Sequence, residues 1–219
     1  MAVSNTADLF SQLFGTFTTL AILVGVVVFS LMTYLVIRFR ARGSEPDPED
    51  APSLGRIPEA RGHLRTAIIS VGLSSIILGV LIFGTLSVTN TINTIPSQCT
   101  SPPPGLCLYI RVTGYRFAWD VSYPNGQTLS DNLTIPIGRI VVVEISSKDV
   151  FHSFGIDAFR TKRDAIPGLT NRIWFIANEL GIHTFRCFEL CGSGHAFMTG
   201  KVSVVSPGNF QGFCSVQGC

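Results

Sequence analysis

Two long stretches without a charged side chain constrain this sequence more than any other feature. The first runs from Leu9 to Ile37 and the second from Thr66 to about Val88. As a helix, Gly15 to Ile37 alone would be roughly 35 Å long, enough to cross a hydrocarbon core of about 30 Å. Both runs are apolar on every face, unlike a soluble core helix with one wet side. They also account for a shortage of charge: 14% of residues are Asp, Glu, Lys or Arg, against about 25% in an ordinary soluble domain. A cleaved signal peptide is the alternative for the first run. It needs a basic leader and a shorter apolar stretch, and no Lys or Arg precedes Arg38.

Basic residues set the expected orientation. Arg38, Arg40, Arg42, Arg56, Arg61 and Arg65 lie between the runs, and none follows until Arg111. The positive-inside rule puts that loop in the cytoplasm and both termini outside, in a multi-pass protein of the cell membrane. Residues 1–94 are expected to form a transmembrane hairpin, with helices at about 10–38 and 65–90 and a loop at 39–64. A Pro-rich linker follows at 95–108, and 207–219 is read as a C-terminal tail.

Residues 109–206 change period. LYIRVTGYRFAWDVSY, NLTIPIGRIVVVEIS, NRIWFIAN, IHTFRCFEL and KVSVVS are rich in Val, Ile, Phe, Tyr and Trp, with Pro and Gly turns between them. That pattern predicts short strands in an all-β sandwich. From Cys99 onward there are ten Lys or Arg and eight Asp or Glu. So slight an excess is no nucleic-acid footprint.

The chemistry sits in RCFELCGSGHAFMTG. Cys187, Glu189, Cys191, His195 and Met198 fall within twelve residues, and His152 lies upstream in DVFHSFG. Thiolates, imidazoles and a thioether are a soft donor set, and thioether sulfur points to copper. A Cys187–Cys191 disulfide would leave the His and Met without a role. A structural zinc site with His152 and His195 would leave out Met198. A mononuclear blue copper site wants one Cys, so the second thiolate suggests a second ion. Two bridging thiolates, one His on each copper, and Met198 and a carbonyl near Glu189 as weak ligands would use the whole set.

Cys-x-Glu-x-Cys-x-x-x-His-x-x-Met, with Asp149-Val150-Phe151-His152-Ser153 and Asp164-Ala165-Ile166-Pro167-Gly168 upstream, resembles subunit II of the heme–copper oxidases. The resemblance implies a cupredoxin domain carrying a dinuclear CuA centre. Cys187 and Cys191 would bridge. His152 and Met198 would complete one copper, and His195 and the Glu189 carbonyl the other. It also implies a magnesium ion shared between the Glu189 side chain and subunit I, a further subunit III, and proton translocation coupled to oxygen reduction in subunit I.

The sequence departs from that family in its aromatic run, Gly114-Tyr115-Arg116-Phe117-Ala118-Trp119. Phe117 stands where relatives carry the Trp that receives electrons from cytochrome c, and Trp119 is retained. Phe117 and Trp119 are the candidates for that role, with core packing the alternative for Trp119. The donor is expected to be a membrane-bound cytochrome or a small copper protein. No proton-channel glutamate is assigned: His63-Leu64-Arg65 occupies its place, and Glu59 is the nearest acid. Four cysteines remain, and Cys99–Cys107 with Cys214–Cys219 is the favoured pairing. His183 is read as a packing residue. A nitrous-oxide-reductase-like enzyme, which shares the copper loop, would need a large further domain. A copper carrier would need exposed, labile ligands.

Overall fold

A computed structural model describes residues 2–40, 62–100 and 107–217. Most of the loop expected in the cytoplasm, with Glu59, the middle of the linker, and Cys219 lie outside the described residues. Phe14–Thr85 belongs to one compact unit; Met1–Leu13 and the β-rich remainder from Leu86 form the other.

Helix α1 spans Asn5–Phe39 and α2 spans Leu64–Asn93. Their apolar side chains face outward all round: Val27, Phe29, Ile69 and Phe83 are each more than 60% exposed. Such a surface calls for lipid, where every backbone group must be bonded within the helix. The few hydroxyls comply by returning to the helix's own carbonyls: Ser74 Oγ donates to Ser70 O at 2.9 Å and Thr85 Oγ1 to Leu81 O at 2.8 Å. Helix α1 begins five residues before the expected position 10. Buried Ser4 caps it, accepting from the Ala7 amide at 3.1 Å. One turn of helix, α3, covers Ser97–Thr100 in the linker.

Among the described residues the head is a sandwich of ten strands: β1 (Cys107–Tyr115), β2 (Ala118–Ser122), β3 (Thr128–Ser130), β4 (Asn132–Pro136), β5 (Ile140–Ser147), β6 (His152–Ile156), β7 (Thr161–Ala165), β8 (Asn171–Ile176), β9 (Gly181–Cys187) and β10 (Thr199–Val205). One sheet runs β3-β2-β1-β5-β8 and the other β4-β10-β9-β6-β7. Pairing is parallel for β1 with β5 and for β4 with β10, and antiparallel elsewhere.

Alternation along β1 sends Leu108, Ile110 and Val112 inward and Tyr109 and Arg111 outward. They meet Trp119, Phe154, Phe159, Phe175 and Phe185, all fully buried. Burying each such aromatic ring contributes about 1.5–3 kcal/mol. Strand β5 breaks the alternation. Its other face packs Ile140 and Val142 beneath Ile95, Cys99 and Cys107, so the linker covers what would otherwise be a wet surface. A Cys99–Cys107 disulfide fastens that cover. The free end of β8 is covered too. Ser4 bridges Ala177, Asn178 N donates to Val3 O at 2.8 Å, and Ile176 N donates to Asn5 Oδ1 at 2.8 Å.

The segment expected as a tail contains helix α4, Pro207–Gln217. Pro at a first helical position and Ser206 before it start a helix well. Its Phe210 is buried, and Phe213 meets the Tyr123 ring edge-on. Cys214 is disulfide-bonded.

Candidate metal centre

Strand pairing brings the predicted ligands to one end of the second sheet. His152 opens β6, Cys187 ends β9, and Met198 immediately precedes β10. The Cys187 amide donates to Met198 O at 2.9 Å, closing the intervening loop at its neck. The Phe188 amide donates to Ser153 O at 2.8 Å, tying the loop to β6. A loop anchored on three strands has little freedom to move its side chains.

Five soft donor atoms converge there. The Cys187 and Cys191 sulfurs are 3.9 Å apart. His152 Nδ1 is 3.8 Å from the Cys187 sulfur, and His195 Nδ1 is 3.7 Å from that of Cys191. Met198 Sδ is 3.7 Å from the Cys191 sulfur, and the Cys187 thiol donates to the Glu189 carbonyl at 3.2 Å. A disulfide needs about 2.0 Å between sulfurs, so these thiols are free. The gap is less than twice a metal–thiolate bond of about 2.3 Å, so one ion can touch both sulfurs. No carboxylate oxygen is among these donors. The set fits copper, and the buried Met198 is the donor zinc would leave idle.

The two imidazoles differ in setting. His152 is fully buried, whereas His195 is half-buried at the rim. The His152 ring is oriented from behind: Nε2–H donates to Asp149 Oδ1 at 2.8 Å, which turns Nδ1 toward the sulfurs. Asp149 also accepts from the Val150 amide at 2.7 Å, the Arg116 amide at 2.9 Å and Arg116 Nε at 3.3 Å. Burial alone would raise its carboxyl, but the hydrogen bonds from His152, Val150 and Arg116 outweigh it and hold the carboxyl well below the usual range. Burial pushes the Cys191 thiol up to about 11, and Cys187 beside it pushes the same way.

Trp119 is fully buried, its ring edge-on to His152 at 5.8 Å and to Phe154 at 5.4 Å. Gly114 makes room for that contact: a Cβ there would lie 2.8 Å from the Trp119 ring and 3.3 Å from His152. Phe117 is instead partly exposed and lies on the metal loop; a Cβ at Gly194 would sit 2.5 Å from its ring. The Glu189 carboxylate pairs with Lys162, Oε1 lying 3.7 Å from the ammonium. His183 packs against Phe159, with ring centroids 5.3 Å apart. Sequence reasoning gave no role to Asp149 or Arg116; the signal for Asp149 was an acid three residues before a candidate ligand.

A family model for cytochrome c oxidase subunit II, periplasmic domain, matches residues 124–206. The heme-copper oxidase subunit 2 of Aeropyrum pernix is 32% identical, aligned over 96% of this chain and 90% of its own. The cytochrome c oxidase subunit 2 of Alkalihalophilus pseudofirmus is 31% identical over 82% of this chain; the chain spans half of that relative's length. Among solved structures, the periplasmic domain of subunit II of cytochrome oxidase from Bradyrhizobium japonicum is similar with a TM-score of 0.50 and 30% identity. It covers 52% of this chain and 96% of that one. Two lipid-compatible helices, a matching extracytoplasmic sandwich, a Cys–His cluster and near full-length kinship lead to one conclusion: the chain belongs to the subunit II family of the heme–copper oxidases, membrane-bound oxidoreductase complexes.

Proposed function

We propose that this chain receives single electrons outside the membrane at a dinuclear copper centre and hands them to the heme of subunit I. Oxygen would be reduced to water there, coupled to proton translocation. Cys187 and Cys191 would bridge the ions, His152 and Met198 would serve one, and His195 and the Glu189 carbonyl the other. When bound, the pair supplies reversible one-electron storage shared over two metals.

The protein's own residues supply rigidity. His152 is fixed by Asp149 behind it and Trp119 at its edge, and the loop is closed by the Cys187–Met198 backbone bond. Phe117, lying between solvent and the loop, is the side chain suited to receive an electron; Trp119, without exposed surface, supports His152 instead. The arginine-rich loop supports a cytoplasmic connection with both termini and the head outside the cell membrane. Subunits I and III are the expected partners within the complex.

Magnesium fits this chain's residues poorly. Glu189 contributes one carboxylate, and the Lys162 ammonium already lies beside it. Magnesium wants an octahedron of oxygens.

The observation that carries the reading is the convergence of two thiols, two Nδ1 atoms and a thioether with neighbouring contacts of 3.7–3.9 Å. Low-temperature EPR of the purified complex tests it. We expect hyperfine splitting from two equivalent copper nuclei, with two coppers per chain beyond those of subunit I. A single zinc, or a Cys187–Cys191 disulfide in the active complex, overturns the reading. The same metal analysis on Glu189→Gln tests for magnesium held with subunit I.

A further inference from the structure

We infer that Arg116 is a positioning and tuning residue for the metal centre, acting through Asp149 on the ligand His152. The inference rests on the copper reading above.

Arg116 touches the site from two directions. Its amide and its Nε both donate to Asp149 Oδ2, at 2.9 and 3.3 Å. Its stem lies along the metal loop, with Cδ 3.6 Å from where a Cβ on Gly192 would stand. The other oxygen of Asp149 receives the His152 Nε2 proton at 2.8 Å, and the opposite nitrogen of that ring faces the Cys187 sulfur. A half-exposed guanidinium is thus joined to a fully buried ligand by one shared carboxylate.

A carboxylate behind a metal-bound imidazole makes that imidazole a stronger donor. A cation on the carboxylate draws its charge away and weakens the effect. With the guanidinium gone, Asp149 pulls harder on the Nε2 proton, and Nδ1 becomes the better donor. A stronger donor favours the oxidised, more positive centre, so the reduction potential falls. Loss of a nearby positive charge has the same sign, so the experiment must separate relay from simple field.

Lys148 makes the separation possible. It is another half-exposed cation next to Asp149 in sequence, but it pairs with Asp120 and lies over Tyr115. It has no bonded route to a ligand among the described contacts. A redox titration of the copper absorbance in the purified oxidase complex should compare wild type, Arg116→Gln, Arg116→Lys, Lys148→Gln and Asp149→Asn. We expect Arg116→Gln to lower the potential more than Lys148→Gln, and Arg116→Lys to recover part of the shift. Asp149→Asn should raise the potential, and in that background Arg116→Gln should lose most of its effect. Equal shifts for Arg116→Gln and Lys148→Gln, or an undiminished shift in the Asp149→Asn background, overturn the relay. If Asp149→Asn fails to load copper, the comparison of the two cation variants decides by itself. A wild-type complex without the two-copper EPR signal overturns the copper reading instead, so the two failures are distinguishable.

Discussion

Each thiol at the centre has to surrender a proton before it can bind a metal. For Cys191 that proton is held tightly, because burial and the neighbouring sulfur raise its affinity to about 11. At neutral pH the metal therefore competes with a proton, and the competition eases as pH rises toward that value. Apparent copper affinity of the reduced, metal-free protein should strengthen by about tenfold per pH unit for each thiol proton displaced. Chelator competition between pH 6 and 8 measures it; a flat profile would show that Cys191 is not a ligand. The candidate ligands were legible in the sequence as a cluster, because soft donors rarely crowd into twelve residues. Their supports were not. Arg116 meets Asp149 only because the end of β1 folds over the turn after β5, a contact between residues 33 positions apart. A surface Arg and a turn Asp carry no mark of such a partnership in a linear pattern.

At the scale of elements, apolar length revealed the helices and alternation revealed most strands. The exception is β5, whose IVVVEIS reads as a fully buried strand, while the element covering its second face lies in the linker. The disulfide that secures this cover closes a loop of eight residues. Opening it returns chain entropy to the unfolded state, a loss of about 2–3 kcal/mol. Cys99→Ser should therefore lower the melting temperature of the head while leaving the copper spectrum intact, since Cys99 packs far along the chain and sheet from the metal loop. Calorimetry paired with absorbance checks it; a lost copper band would show that the linker cover also shapes the centre. The helix in the expected tail escaped notice because PGNFQGFCSVQ has two glycines and weak helical periodicity, and packing of Phe210 and Phe213 compensates.

For the whole molecule, the distribution of charge bears on the donor. In the ion pairs made by Arg116 and Asp120, which flank Phe117 in sequence, the cations face water more than the acids do: Arg116 is 51% exposed against 26% for Asp149, and Lys148 58% against 23% for Asp120. A lysine-rich soluble cytochrome c would meet like charge on that surface. Stopped-flow reduction of the purified complex should be slow with such a cytochrome and faster with an acidic donor, with the acidic donor's rate falling as salt rises. Rapid reduction by the basic cytochrome would exclude this electrostatic account.

Val3, Ser4, Asn5 and Thr6 complete the rim of a sheet whose strands come more than a hundred positions later: Thr6 Oγ1 donates to Phe159 O at 2.6 Å, and Asn5 receives the amide of Ile176. During synthesis these residues emerge well before the strands they join, and they acquire their partners only when those strands follow. Those early polar groups are therefore satisfied only once the head has folded against them. Completion of the sandwich is thereby tied to the presence of residues 3–6, and a head made without them would expose the Phe159 carbonyl and the Ile176 amide to water.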